Sequence, residues 1–159
     1  MGNQGKLNKK YHGGKYINLL VDADRSALLK KISLDLPSIT LDERQLCDFE
    51  LLSTGAFSPL DGFMTRSNYE SVLDRMKLQD GTLWPMPVCL DISEPAARPL
   101  EAGQSVVIRD PEGFLLAIMH VQDIWKPDKQ KEANLLFGTN DRSHPGVDHL
   151  LGSTGDYYI

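Results

Sequence analysis

The chain has little cysteine, no long apolar run, no excess of positive charge and none of the common phosphate-binding motifs. Its two cysteines, Cys47 and Cys89, cannot build a disulfide framework, and neither has metal-ligand spacing to another Cys or His. Both sit among apolar residues and read as small buried hydrophobes in a reducing cytoplasm. No apolar segment approaches the roughly 20 residues needed to span a bilayer, and the start lacks the apolar stretch of a secretory signal. No membrane partner is expected. Gly-x-x-x-x-Gly-Lys, Gly-x-Gly-x-x-Gly and Gly-x-Ser-x-Gly are all missing. The net charge is −5; Lys6, Lys9, Lys10 and Lys15 give residues 1–15 a charge of +4, which leaves −9 for residues 16–159. An acidic body opposes binding to nucleic-acid phosphates, so no nucleic-acid partner is expected. The basic start, rich in Gly and Asn, reads as a flexible lead-in over residues 1–15, followed by one domain over residues 16–159.

What is present is an ordinary globular composition, 41% hydrophobic and 25% charged. A short strand is expected near Tyr16 to Val21, then a helix through Arg25 to Lys31 capped by Asp22 or Asp24, broken at Leu36-Pro37-Ser38. Thr40 with Glu43 suggests a capping box for a well-buried second helix through Leu46, Cys47, Phe49, Leu51 and Leu52, ended by Gly55. Ser67 with Glu70 suggests another, before the apolar stripe Tyr69, Val72, Leu73 and Met76. Asp80-Gly81 is turn chemistry.

Trp84 to Ile92 then reads as extended, and Ser93 to Pro99 as a loop. Gln104 to Arg109 and Phe114 to Val121 read as a hairpin joined by Asp110-Pro111-Glu112-Gly113. A helix from Pro127 with Ala133, Leu136 and Phe137 on its apolar side follows, then a short helix from Pro145 to Leu151. Gly155 to Ile159 reads as the start of a strand, as a cut between domains would leave it. The pattern is α+β.

Candidates for chemistry are few. His144 and His149 are five residues apart across Pro145-Gly146, which favours capping or surface roles over metal ligation. His120 lies in a predicted strand and reads as half-buried and satisfied, since the sequence places no Ser or Cys beside it. Asp61 reads as a turn residue bonding nearby backbone amides. Trp84, Trp125, Tyr157 and Tyr158 read as core rather than as a stacking platform for bases, because no basic residues interleave with them. The run Phe57-Ser58-Pro59-Leu60-Asp61-Gly62-Phe63-Met64 combines large apolar side chains with a helix breaker and a Gly. It is expected to be an irregular loop stapled into the core by Phe, Leu and Met, with Gly62 supplying backbone freedom.

Cys47 to Met64 resembles ATP sulfurylase (sulfate adenylyltransferase), in the N-terminal region of that family. Further matching words follow in order: His12-Gly13-Gly14 with Asn18-Leu19, Asp80 to Pro87, Lys126 to Lys129, Phe137-Gly138-Thr139, His144 to Val147 and Gly155 to Tyr158. The resemblance implies a PUA-like pseudo-β-barrel with several flanking helices. It also implies a separate nucleotidyltransferase domain that joins ATP, with Mg²⁺, to sulfate as adenosine 5′-phosphosulfate and pyrophosphate. That family's Gln-x-Arg-Asn-Pro motif is not in these residues, and His144 and His149 do not match its His-x-x-His pair. No catalytic, cofactor-binding or metal-ligating residue is therefore carried over. The expected partner is the C-terminal catalytic domain of the same chain, docked near Tyr157, Tyr158 and Ile159, and a homo-oligomer is open. The alternative reading is a stand-alone PUA-like RNA-binding module, by fold analogy alone.

Overall fold

The computed structural model describes residues 11–159. The flexible lead-in proposed for residues 1–15 therefore falls mostly outside the described residues; within it, His12–Gly14 form a single 3-10 turn. The described residues divide into two compact units, one of residues up to 63 with 105–120, the other of residues 64–104 with 121–159.

In the first unit, the Tyr16 to Val21 stretch is irregular, not a strand. Its backbone is held instead by side-chain chemistry: Ser58 Oγ accepts from the Ile17 amide at 2.9 Å, and Tyr16 donates its hydroxyl to the Thr54 carbonyl at 3.0 Å. Helix α1 spans Ala23–Ile32, capped by Asp22 through the Arg25 amide. A 3-10 turn, Ser33–Asp35, follows, and then β1, Ser38–Thr40, which the Leu36-Pro37-Ser38 breaker concealed. Helix α2, Glu43–Ser53, does carry a capping box, but its partners are Asp42 and Gln45, two residues later than the Thr40/Glu43 pair. Only Gln45 and Leu52 are buried along it, and Cys47 is exposed, so neither the helix nor the thiol is as enclosed as its apolar content suggests. Gly55 ends the helix in the left-handed region, at φ 83°.

Strands β3, Ser105–Arg109, and β4, Leu115–His120, form the expected hairpin. Its turn closes through Gly113 N to Asp110 O at 3.0 Å and Phe114 N to the Asp110 carboxylate at 2.7 Å. β1 joins in parallel on the other side of β3, giving the order β1-β3-β4. Val106, Val107 and Ile108 are almost fully buried at the sheet centre.

The second unit begins with α3, Arg66–Arg75, capped by Thr65 and not by Ser67. Tyr69 and Val72 are buried, but Met76 at the stripe's end is exposed in a left-handed C-cap at φ 53°. Trp84 to Leu90 forms no strand; only β2, Asp91–Ile92, pairs, antiparallel with β5, Tyr157–Tyr158. Ser93 to Pro99 contains a one-turn helix, α4, Glu94–Ala97. Helix α5 spans Lys129–Phe137, with Asp128 as its cap and Pro127 just outside, and Gly138 closes it at φ 69°. Helix α6 spans Pro145–Gly152.

The architecture is α+β, as expected. Among the described residues the strands make one three-stranded and one two-stranded sheet, without closing into a barrel. The 57–64 segment is an irregular loop, with Leu60 and Met64 buried and Phe57 and Phe63 only half-buried. Gly62 does not take a positive φ; the left-handed residue is Gly55, seven positions earlier. Ser58, which the apolar reading passed over, carries polar anchorage by donating to the Gly55 carbonyl at 2.6 Å.

Candidate functional site

Among the described residues, buried polar groups gather in the second unit around Glu132. Glu132 on α5 is 4% exposed, in a helix whose apolar side is Ala133, Leu136 and Phe137. Tyr69 from α3 donates to its Oε2 at 2.9 Å, and Tyr158 from β5 donates to the same oxygen at 3.1 Å. Trp125 completes the cluster, its ring centroid 5.6 Å from those of both tyrosines, and the two tyrosines meet edge to face. Such geometry sets the positive edge of one ring against the negative face of the next. Trp125 and Tyr158 also exchange backbone hydrogen bonds at 3.0 and 2.8 Å. The expectation that these two aromatics serve the core holds. Of the three residues expected at a docking face, Tyr158 and Ile159 are buried and Tyr157 is half-buried.

Burial is the main influence on the titration of all three groups. It pushes the Glu132 carboxyl above its ordinary value, against the two tyrosine hydrogen bonds and Lys129, which favour the charged form. It pushes both phenols well above their ordinary range, aided by the charge of Glu132. Beside the cluster, the buried Asp91 carboxylate accepts from the Gly155 amide at 2.7 Å, and a Cβ on Gly155 would collide with the Ile92 backbone. The arrangement locks elements together; a carboxylate so enclosed has no face for a substrate.

Glu132 was legible only indirectly. The run Lys-Gln-Lys-Glu reads as a solvated face, yet Glu132 precedes Ala133 and lies four residues before Leu136, on the apolar stripe.

The other candidates disperse. Asp61 is exposed, and among the described residues no backbone amide donates to its side chain, contrary to the turn role expected of it. His120 is exposed at the end of β4, not half-buried, and its Nδ1 lies 2.7 Å from Ser105 Oγ. Cross-strand register sets this pair, Ser105 facing His120. Among the described residues no carboxylate bonds the imidazole to orient it, which a Ser-His nucleophile needs. His144 caps α6, accepting from the Gly146 amide at 3.2 Å, and stacks on Phe137; His149 is exposed on the same helix. Trp84 and Tyr157 are half-buried outside the aromatic cluster.

Among the described residues, no three His, Cys, Asp or Glu side chains converge as a metal ion would require. Four arginines are paired with acids: Arg44 with Asp48, Arg66 with Glu70, Arg98 with Glu94 and Arg142 with Asp148. An open-sided pocket of about 190 Å³ is lined by Glu94, Ala97, Arg98, Ile124 and Tyr157, and its guanidinium is already matched by Glu94. No helix among the described residues is long and apolar enough to cross a membrane.

The family model of the PUA-like domain matches residues 9–159. The chain belongs to the PUA-like domain family. It is also similar to the sulfate adenylyltransferase of Schizosaccharomyces pombe, 44% identical over 87% of this chain and 29% of that protein. A probable bifunctional SAT/APS kinase 2 of Sorangium cellulosum is 40% identical over 93% of this chain and 25% of its own length. Among solved structures, a hexameric APS kinase from Thiobacillus denitrificans aligns with a TM-score of 0.68 and 41% identity, over 74% of this chain and 24% of that one. The chain thus spans about a quarter of the length of the relatives it matches. As a PUA-like domain similar along most of its length to sulfate adenylyltransferases, it agrees with the family that Cys47 to Met64 indicated.

Proposed function

We propose that this chain is the non-catalytic N-terminal part of an ATP sulfurylase. The whole enzyme makes adenosine 5′-phosphosulfate and pyrophosphate from ATP and sulfate, in cytoplasmic sulfate assimilation. The carrying observation is similarity to sulfate adenylyltransferases over 87–93% of this chain against about a quarter of theirs. The chemistry supports the division of labour. Sulfate attacking an α-phosphoryl group brings two anions together, so catalysis is mostly positioning and charge neutralisation. These residues carry an acidic balance, and their Arg44, Arg66, Arg98 and Arg142 guanidiniums are matched by carboxylates. ATP and Mg²⁺ are assigned to the catalytic part, which this domain supports by packing.

The test is pyrophosphate release with ATP, sulfate and Mg²⁺, run on residues 1–159 and on the gene product continued past Ile159. The short chain should give no turnover above blank and the longer one should turn over. Comparable turnover by the short chain would overturn the reading. A filter-binding titration with structured RNA at low salt should show no salt-sensitive micromolar binding; such binding would favour the RNA module instead.

A further inference from the structure

Helix α1 buries none of its ten residues. A helix this short is marginal in water without tertiary packing. Leu28 and Ile32, one turn apart, are nearly half exposed, and more than half of the exposed large apolar side chains among the described residues fall between Tyr16 and Leu34. Leu20, Val21 and Leu34, which flank the helix, are 64%, 50% and 82% exposed. Apolar surface gathered in this way marks a contact site.

The charges on α1 indicate what covers it. Acids sit at its start, Asp22 and Asp24, and bases at its end, Lys30 and Lys31. Alignment with the helix dipole accounts for that order, but not for the exposed Leu28 and Ile32. On a helical projection Asp24, Leu28 and Lys31 share one edge, at i, i+4 and i+7. Positions 24 and 31 are also symmetric about the midpoint of Ala27 and Leu28. In an antiparallel pair of identical helices related by a two-fold axis, like edges face each other with their ends exchanged. Asp24 of each copy then meets Lys31 of the other, in two pairs along the same edge of a seam made by Leu28 and Ile32. A helix with this symmetry is complementary to itself.

We infer that α1 is a self-association surface, whose occupant is α1 of a second copy of this chain packed antiparallel with Asp24 against Lys31. The inference is independent of the catalytic reading, since it needs no missing domain and no ligand.

Sedimentation equilibrium on the 159-residue chain tests it, with circular dichroism on every variant. The wild type should form a concentration-dependent dimer that weakens with added salt. L28D should be monomeric with its helix content retained. D24K and K31D should each weaken the dimer about tenfold, since each turns two attractions into two repulsions. An equimolar mixture of D24K with K31D restores both attractions and should recover the dimer. That recovery would also show that both variants fold. A wild-type monomer at all concentrations, a dimer indifferent to L28D, or a mixture no tighter than its components would each overturn the assignment.

Discussion

The Tyr69 hydroxyl donates to Glu132 Oε2 at 2.9 Å, tying α3 to α5 across 63 residues of chain. Tyr158 donates to the same oxygen from β5. Three elements distant in sequence thus meet at one carboxylate, and the hydrogen bonds require a particular placement of each. Apolar packing alone tolerates many arrangements; a buried acid with two fixed donors tolerates few. Removing the acceptor would leave both phenols buried and unpaired. Glu132→Ala should therefore cost about 1–3 kcal/mol for each orphaned hydroxyl, read from urea unfolding midpoints. A loss well under 1 kcal/mol would show that the network contributes little.

The same carboxylate predicts a pH dependence. Burial raises the Glu132 value above the ordinary 4.5. The folded state then holds this proton more tightly than the unfolded chain does. The resulting stability is complete below the unfolded value, is lost as pH rises through the folded value, and changes no further above it. Glu132→Gln removes the titration and retains an acceptor. Its stability should be flatter than that of the wild type as pH rises above the ordinary carboxyl value of 4.5. Equal slopes for the two proteins would place the pH dependence elsewhere.

The tyrosines extend this to the alkaline side. The phenols of Tyr69 and Tyr158 are raised by burial and by Glu132, so both stay neutral in the fold above the ordinary 10.0. Their stability contribution is present below that value and lost as pH climbs toward the folded values. Alkaline absorbance titration should show part of the phenolate signal appearing only with unfolding. Tyr69→Phe and Tyr158→Phe should each delete a share of that late signal, at a cost of about 0.5–1.5 kcal/mol. If neither variant changes the late phase, the buried phenols are not its source.

Local signals were legible wherever chemistry acts over a few residues. The Asp110 to Gly113 turn, the Gly138 cap and the α6 start at Pro145 all appear where composition places them. Capping pairs were misplaced because several Ser, Thr and Asp lie close together; Asp42 and Thr65 prevail over Thr40 and Ser67, each two positions away. β1 was hidden because three residues after a proline leave no periodicity to read, and only its parallel partner β3 makes it a strand. Glu132 was concealed for a similar reason. Its burial depends on Tyr69 and Tyr158, which sequence spacing cannot bring to it.

Two glycines seven positions apart should respond in opposite ways. Gly55 sits at φ 83°, and a Cβ there would meet the Ile17 carbonyl oxygen and the Tyr16 ring. Left-handed backbone alone costs an L-residue about 1–2 kcal/mol, so Gly55→Ala should lose more than about 2 kcal/mol. Gly62 has no positive φ and nothing within 4 Å of an added Cβ. Gly62→Ala should be within about 0.5 kcal/mol of wild type, or slightly stabilising through a stiffer unfolded chain. Thermal unfolding of both variants separates them. Equal losses would contradict this placement of the strained residue.

The loop between α2 and α3 supplies a graded series. Its sequence marks the Phe, Leu and Met side chains as core staples, and a fully buried Phe63 ring would predict a loss of about 3–5 kcal/mol on truncation to Ala. In the fold Phe63 is only half-buried, whereas Leu60 is 5% exposed and Met64 2%. Met64 is held as well by its amide, which donates to the Val88 carbonyl at 2.8 Å. A truncation costs the lost transfer energy plus the cavity that remains, and a half-exposed ring leaves little cavity. Leu60→Ala and Met64→Ala should therefore each lose about 2–5 kcal/mol, and Phe63→Ala about 1–2 kcal/mol. Urea midpoints measured under one buffer condition give the ranking. If Phe63→Ala proved the most costly of the three, the ring would be enclosed more deeply than this fold places it, and its reading from sequence as a core staple would stand.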